Sequence, residues 1–161
     1  MIQYLIGDNK DILPSFPDSH ISLTITSPPY KTSDGYEEID FDFLWKELYR
    51  VHKDNTLFFL QFGHLANYKE RPFECMFKAL KAGWKLAETF TWLKTQYSPI
   101  QGNKRVNNLT EFIFMLYKGK MPNLDRLSIG VPYSDKSNLG RYSDVDLKCG
   151  GNHWIIPYES I

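Results

Sequence analysis

Residues 20–30 read "HISLTITSPPY", and this stretch decides the fold. Its first half alternates, with Ile21, Leu23 and Ile25 on one side of an extended chain and Ser22, Thr24 and Thr26 on the other. Pro28 and Pro29 then stop the strand, because each has a fixed φ and no N–H to give a neighbour. In open α/β sheets, ligands bind just beyond the carboxyl ends of strands, which is where such a stiff turn would lie. The prolines leave carbonyl acceptors on a rigid backbone, with the Ser27 hydroxyl before them and the Tyr30 ring after. That set suits a planar ring bearing an amino group. Two N–H protons go to Ser27 and to the carbonyl of Pro28, and the ring stacks on Tyr30. Taken alone, the four residues read equally as a plain turn or as a polyproline-type peptide for a partner module.

The flanking sequence supplies the rest of the sheet. Ile2, Tyr4 and Ile6 predict a short N-terminal strand ended by Gly7-Asp8. Asp8 or Asn9 is placed to cap a short helix through Leu13, closed by Pro14 and Pro17. Phe41, Leu44, Leu48 and Val51 recur at helical spacing, and residues 56–60, "TLFFL", form an apolar run expected of a strand covered on both faces. Phe73, Met76, Phe77 and Leu80 form a helical stripe, with Gly83 placed to end it. Residues 86–93 and 111–117 predict two further strands. Strands alternate with helices over the first 94 residues, which argues for an α/β domain with a mostly parallel sheet. No helix separates the last two strands, so they are expected to pair antiparallel. Gly, Pro, Ser, Asn and Asp then dominate residues 120–152, a long irregular segment of the kind that is usually functional or mobile.

The chain has 161 residues, 42% hydrophobic and 16% aromatic, enough for one globular domain with a real core. Its formal net charge is zero, so any contact with nucleic acid must come from a local patch rather than a global field. The two cysteines, Cys75 and Cys149, lie outside any C-x-x-C pattern, and neither a disulfide nor a metal role is expected. No stretch approaches the ~20 apolar residues of a membrane span. No basic region precedes an apolar run at the N-terminus, so a cytoplasmic protein is expected.

Residues 4–30, "YLIGDNKDILPSFPDSHISLTITSPPY", resemble the opening of the permuted (beta-class), amino-group-specific DNA methyltransferases. That opening has a Gly-Asp after a first strand, a short helix, a D-S-x-I-x-L strand and a [D/S]-P-P-[Y/F/W] tetrad. The stretches "GWKLAETFTWLK" (83–94), "NKRVNNLTEFIFMLYKGK" (103–120) and "GNHWIIPY" (151–158) are similar to the same family, so the resemblance covers nearly the whole chain. It implies a partial Rossmann-like methyltransferase fold with a mostly parallel sheet, helices on both faces and an antiparallel end strand. Residues 1–118 would form the tetrad-bearing part, and residues 119–161 a candidate target-recognition region.

The implied activity is transfer of a methyl group from S-adenosylmethionine to the amino group of a base flipped from double-stranded DNA. A Ser-first tetrad in this family usually goes with the 4-amino group of cytosine, and an Asp-first tetrad with the 6-amino group of adenine, which stays as alternative chemistry. Catalytic roles fall on Ser27, Pro28, Pro29 and Tyr30. Cofactor contacts fall on Asp8, Thr26 and Ser27, and DNA contacts on Tyr30, Lys31, Lys104, Arg105 and His153. Asp8 reads otherwise as a helix cap. Gln61 stands where some relatives carry an acidic residue, and reads otherwise as a polar strand terminus. Lys94, Lys104, Arg105 and Asn107 read as phosphate contacts or as a solvated loop. His153 and Trp154 could reach DNA or pack.

The family cradles S-adenosylmethionine on an F-x-G-x-G loop, and no such stretch occurs in these residues. In the permuted order this loop follows the segment resembling "HWIIPY", so the resemblance places the cofactor half beyond Ile161. The β-edge beside the tetrad strand is then expected to be covered by a second chain or by self-association, or the sequence is a truncated product. A non-catalytic DNA-binding or assembly subunit derived from the same fold is the alternative.

Overall fold

The computed structural model describes residues 2–29, 39–64, 68–95, 104–141 and 144–156. In chain order the elements are α1 (Asn9–Ile12), β1 (Ile21–Thr26), α2 (Phe41–Val51), β2 (His52–Gly63), α3 (Arg71–Lys81), β3 (Lys85–Lys94), β4 (Thr110–Lys118), β5 (Gly130–Val131), β6 (Lys148–Cys149) and β7 (His153–Ile156). Five strands make one sheet in the order β1-β2-β4-β3-β7, while β5 and β6 form a separate two-stranded ribbon. β1 pairs parallel with β2, β4 pairs antiparallel with both β2 and β3, and β7 pairs parallel with β3. Four strands therefore run one way and β4 runs against them.

The core lies between one sheet face and the two long helices. Phe58, Leu60 and Phe62 of β2 stand opposite Leu116, Phe114 and Phe112 of β4 and meet Phe41, Leu44, Trp45 and Leu48 of α2. Asp40 starts α2, its side chain accepting from the backbone N–H of Asp42 and Phe43 at 3.1 and 3.0 Å. The Trp45 indole N–H reaches the carbonyl of Cys75 at 3.2 Å, and that of Trp84 reaches the carbonyl of Trp45 at 3.3 Å. These bonds let two large indoles be buried with no lost hydrogen bond, and they tie α2 to α3 and to the start of β3. Gly83 ends the α3 unit at φ +112°, where a Cβ would stand 3.0 Å from the Tyr49 ring.

Several expectations need correction. Residues 2–6 join no strand, and Ile2, Tyr4 and Ile6 are 80%, 83% and 99% exposed. Alternation alone does not make a strand; it must pair with an edge, and this segment pairs with none. The antiparallel strand is not at the end of the sheet: β4 slots between β2 and β3, and β7 forms the far edge. The reason is the connection from β3 to β4. Among the described residues no crossover helix separates the two, and β4 runs back beside β3. Helices α2 and α3 share one sheet face, and among the described residues no helix covers the other. The α3 stripe is also rotated. Pro72, Cys75, Met76 and Ala79 are the buried positions, while Phe73 and Phe77 are 38% and 56% exposed.

Candidate active site

All four parallel strands end at the same rim of the sheet, and β4 begins there. Thr26, the last residue of β1, is in register with Leu60, and the register continued by one residue brings Ser27 level with Gln61. Ser27 is exposed, Pro28 is buried and Pro29 is exposed. The turn is therefore anchored by its first proline, with the serine left open. Tyr30 and Lys31, the other tetrad-end expectations, lie outside the described residues.

A polar chain runs along this rim. The Gln61 amide donates through Nε2 to Oε2 of Glu111, and Lys94 pairs with the other carboxylate oxygen, Oε1. Gly63 of β2 and Trp92 of β3 both lie opposite Glu111, so the carboxylate sits over the middle of the rim. It is only 12% exposed, and the Lys94 side chain 25%. Lys94 also stands 5.8 Å from the Trp92 ring centroid. Such a carboxylate is tolerable at low exposure because both oxygens carry donors and one donor is cationic. Lys94 is thus tied to a protein carboxylate at the end of β3, and does not stand in a solvated loop. Gln61 is more than a strand terminus. Sequence reasoning passed over Glu111; its signal was an acid opening an otherwise apolar strand.

The remaining expected residues are spread out. Asp8 caps α1, accepting from the Lys10 N–H at 2.8 Å, and its side chain is exposed. Thr26 is half-buried on β1. Lys104 and Arg105 are exposed on the approach to β4, at the same end of the sheet as the rim, and Asn107 there is half-buried. His153 is exposed on β7 but paired with Thr91, three residues short of the strand end at Lys94. Three strands separate β7 from β1, so His153 is on the order of 20 Å from the tetrad strand. Trp154 packs on Phe90, ring centroids 4.5 Å apart, and so belongs to the sheet rather than to the rim.

Neither cysteine is placed for this site. Cys75 is buried in α3, and burial pushes its thiol up to about 12. Cys149 lies in the β5–β6 ribbon, where a Gly151 backbone N–H and Arg126 hold its thiol below the usual range. A cavity of about 980 Å³ opens on the sheet face away from the helices, between Phe59, Met115 and Trp154 and the segment carrying Met121 and Arg126. Its lining includes neither Ser27 nor Gln61.

Comparison with known proteins matches this arrangement. A family model described as DNA methylase matches residues 21–160. The type II methyltransferase M.PvuII of Proteus hauseri is 30% identical over 152 residues, 81% of this chain and 45% of that protein. M.MwoI of Methanothermobacter wolfeii is 28% identical over 137 residues, 71% of this chain and 20% of that protein. The chain thus spans less than half the length of either relative. Among solved structures, the PvuII DNA methyltransferase (cytosine-N4-specific) superposes with a TM-score of 0.64 at 21% identity, covering 97% of this chain and 57% of that one. The complex of M1.HpyAVI with S-adenosylmethionine gives 0.61 at 16% identity, covering 99% and 69%. At these identities the superpositions establish the fold alone: an α/β methyltransferase-like sheet.

Proposed function

The chain belongs to the DNA methylase family, and from that premise we propose that it carries the target-base half of a DNA methyltransferase acting on the 4-amino group of cytosine in duplex DNA. The observation that carries this reading is Ser27-Pro28-Pro29 at the rim: an open hydroxyl, a buried proline and no proline N–H to compete for an amino group.

The amino lone pair of cytosine is delocalised into its ring and is a poor nucleophile. Two acceptors, the Ser27 hydroxyl oxygen and the Pro28 carbonyl, take its two N–H protons and hold the nitrogen in one orientation. Hydrogen bonding there also favours the positive charge that builds on nitrogen. Tyr30 is proposed to stack on the flipped ring. Cytosine is favoured over adenine because the tetrad begins with Ser and because PvuII methyltransferase is described as cytosine-N4-specific.

S-adenosylmethionine fits this chain in part. Asp8 is exposed and uses one carboxylate oxygen as a helix cap, and Thr26 and Ser27 border the open edge of β1. Those three residues would touch the cofactor, which supplies an electrophilic methyl group when bound. The outer edge of β1 supports a further partner. No described strand pairs with it, and Leu23 and Ile25 are 51% and 72% exposed. A second chain or a second copy of this one, adding a strand there, would cover that surface.

Residues 119–161 are proposed for target recognition, with Lys31, Lys104, Arg105 and His153 meeting DNA. Among the described residues no helix is long and apolar enough to cross a membrane, and a cytoplasmic site of action suits a DNA substrate.

The test is to incubate the chain, with and without a chain carrying an F-x-G-x-G half, with duplex DNA and labelled S-adenosylmethionine. Hydrolysed DNA is then read by mass spectrometry. N4-methylcytosine is the expected product. N6-methyladenine would overturn the base assignment, and 5-methylcytosine the mechanism. DNA binding without transfer in either mixture would favour a non-catalytic assembly subunit.

A further inference from the structure

Resting on that reading of the rim, we infer that Glu111 is a positioning residue that locks the Gln61 amide with its carbonyl oxygen turned toward Ser27. Gln61 thereby becomes a further acceptor of the site. A glutamine amide has a donor end and an acceptor end of nearly the same shape, so its orientation is set by its neighbours. Beside Gln61 that neighbour is a carboxylate, which repels the carbonyl end and accepts from the amide end. Lys94 keeps the carboxylate in place from its other oxygen. The Oε1 end of Gln61 therefore points away from Glu111.

The strand register says what lies on the other side. Leu60 and Phe62 face the helices, so Gln61 faces the opposite side of the sheet. On β1, Thr24 is turned to the helix side by its bond to His52, so Leu23 and Ile25 share the face of Gln61. Continued one residue past Thr26↔Leu60, the same alternation and register bring Ser27 level with Gln61. A hydroxyl has one proton to give. If Ser27 donates it to Gln61 Oε1, the serine lone pairs are left for the amino protons of the target base. The chain Lys94–Glu111–Gln61–Ser27 then fixes Ser27 as an acceptor, a role that a freely rotating hydroxyl fills only part of the time. Gln61 itself cannot take up a proton, so it orients and does not act as a base.

Two nuclear magnetic resonance measurements on the whole chain test the lock without needing activity. Ser27→Ala is an exposed substitution and is expected to move the Gln61 13Cδ resonance, because the carbonyl loses its donor. Glu111→Gln is expected to move the Gln61 Nε2 proton and nitrogen resonances. An unchanged 13Cδ in Ser27→Ala overturns the inference, even if Glu111→Gln fails to fold.

The kinetic arm uses the assembly in which transfer is measured. Gln61→Leu is expected to lower kcat about tenfold with KM for DNA unchanged, the size of one hydrogen bond lost. The exchange Gln61→Glu with Glu111→Gln restores a donor facing an acceptor and leaves an oxygen toward Ser27, so it is expected to recover most of the rate. Unchanged kcat in Gln61→Leu overturns the inference while leaving the transferase reading intact. Shifted resonances with no transfer by the wild-type assembly overturn the transferase reading and leave the lock standing.

Discussion

Thr24 Oγ1 and His52 Nε2 lie 2.7 Å apart, joining β1 to the first residue of β2. The Thr56 hydroxyl donates to the Lys53 carbonyl at 2.7 Å, so its oxygen is left to accept from His52 Nδ1 at 3.0 Å. His52 is thereby the Nδ1–H tautomer, and Nε2 accepts from Thr24. The ring is fully buried, edge-on to Trp84 at 4.9 Å, and Lys118 binds the His52 carbonyl at 2.7 Å. Burial first, and then the Lys118 charge, push the imidazole down to about 4.

That shift gives the fold an acid sensitivity. Between the ordinary 6.5 of an exposed imidazole and about 4, the unfolded chain holds a proton that the folded chain does not. Acidification through this window therefore favours unfolding, by up to about 1.4 kcal/mol per pH unit from this residue. Stability from urea titration is expected to fall as pH drops from 6.5 to 4, and the slope should flatten in His52→Gln. Equal slopes in the two proteins would mean that other groups control the acid limb.

Trp45 is the residue on which the helix layer turns. It is fully buried, 5.4 Å from Phe41 and 5.2 Å from Phe58 by ring centroids, and it is hydrogen-bonded to α3. Trp45→Ala is expected to cost about 3–5 kcal/mol, as for other buried large-to-small changes. Trp45→Phe keeps most of the volume and should cost less. Equal losses in denaturant titrations of the two variants would argue that the hydrogen bond, rather than the packing, dominates.

Much of this arrangement was legible in residues 8–94. The "ISLTIT" alternation, the Pro-Pro stop, the Asp8 cap, the α2 spacing and Gly83 all mark local events, and each stands where local chemistry puts it. What stayed hidden was set by distant partners. Whether residues 2–6 make a strand depends on a partner strand, which the segment does not carry. The place of β4 depends on which strand it doubles back along. Glu111 looked like any strand-opening acid until β2 and β3 brought Gln61 and Lys94 to either side. The apolar side of β1 offers the converse lesson. Its pattern is that of a buried face, yet Leu23 and Ile25 are exposed, since no described layer lies over them.

Ser27 and Pro28 should separate function from folding. Ser27 is exposed, so Ser27→Ala is expected to leave the melting temperature unchanged within the scatter of surface substitutions, about 0.5 kcal/mol. Transfer in the active assembly should drop on the order of a hundredfold, as when one preorganised polar partner of a reacting group is removed. Pro28 is buried, so Pro28→Ala should lower stability as well. The pair is read by thermal melts beside single-turnover assays. Full activity in Ser27→Ala would show that the tetrad serves the turn alone.

The open edge of β1 predicts the behaviour of the chain by itself. Its outward N–H and C=O groups are unpaired by any described strand, and the side chains beside them include Ile25, 72% exposed. An apolar, uncharged edge of this kind templates association with another strand. In sedimentation velocity the isolated chain should therefore show a concentration-dependent rise in mass. Ile25→Lys puts a charge on the edge, where it costs little because the site already meets solvent, and should return the chain to monomer with an unchanged melting temperature. A partner half that adds a strand at this edge should have the same effect on self-association as the lysine, and should bind Ile25→Lys more weakly than wild type. If wild type and Ile25→Lys sediment alike at every concentration, and bind that half equally, the edge is not where this chain meets a partner.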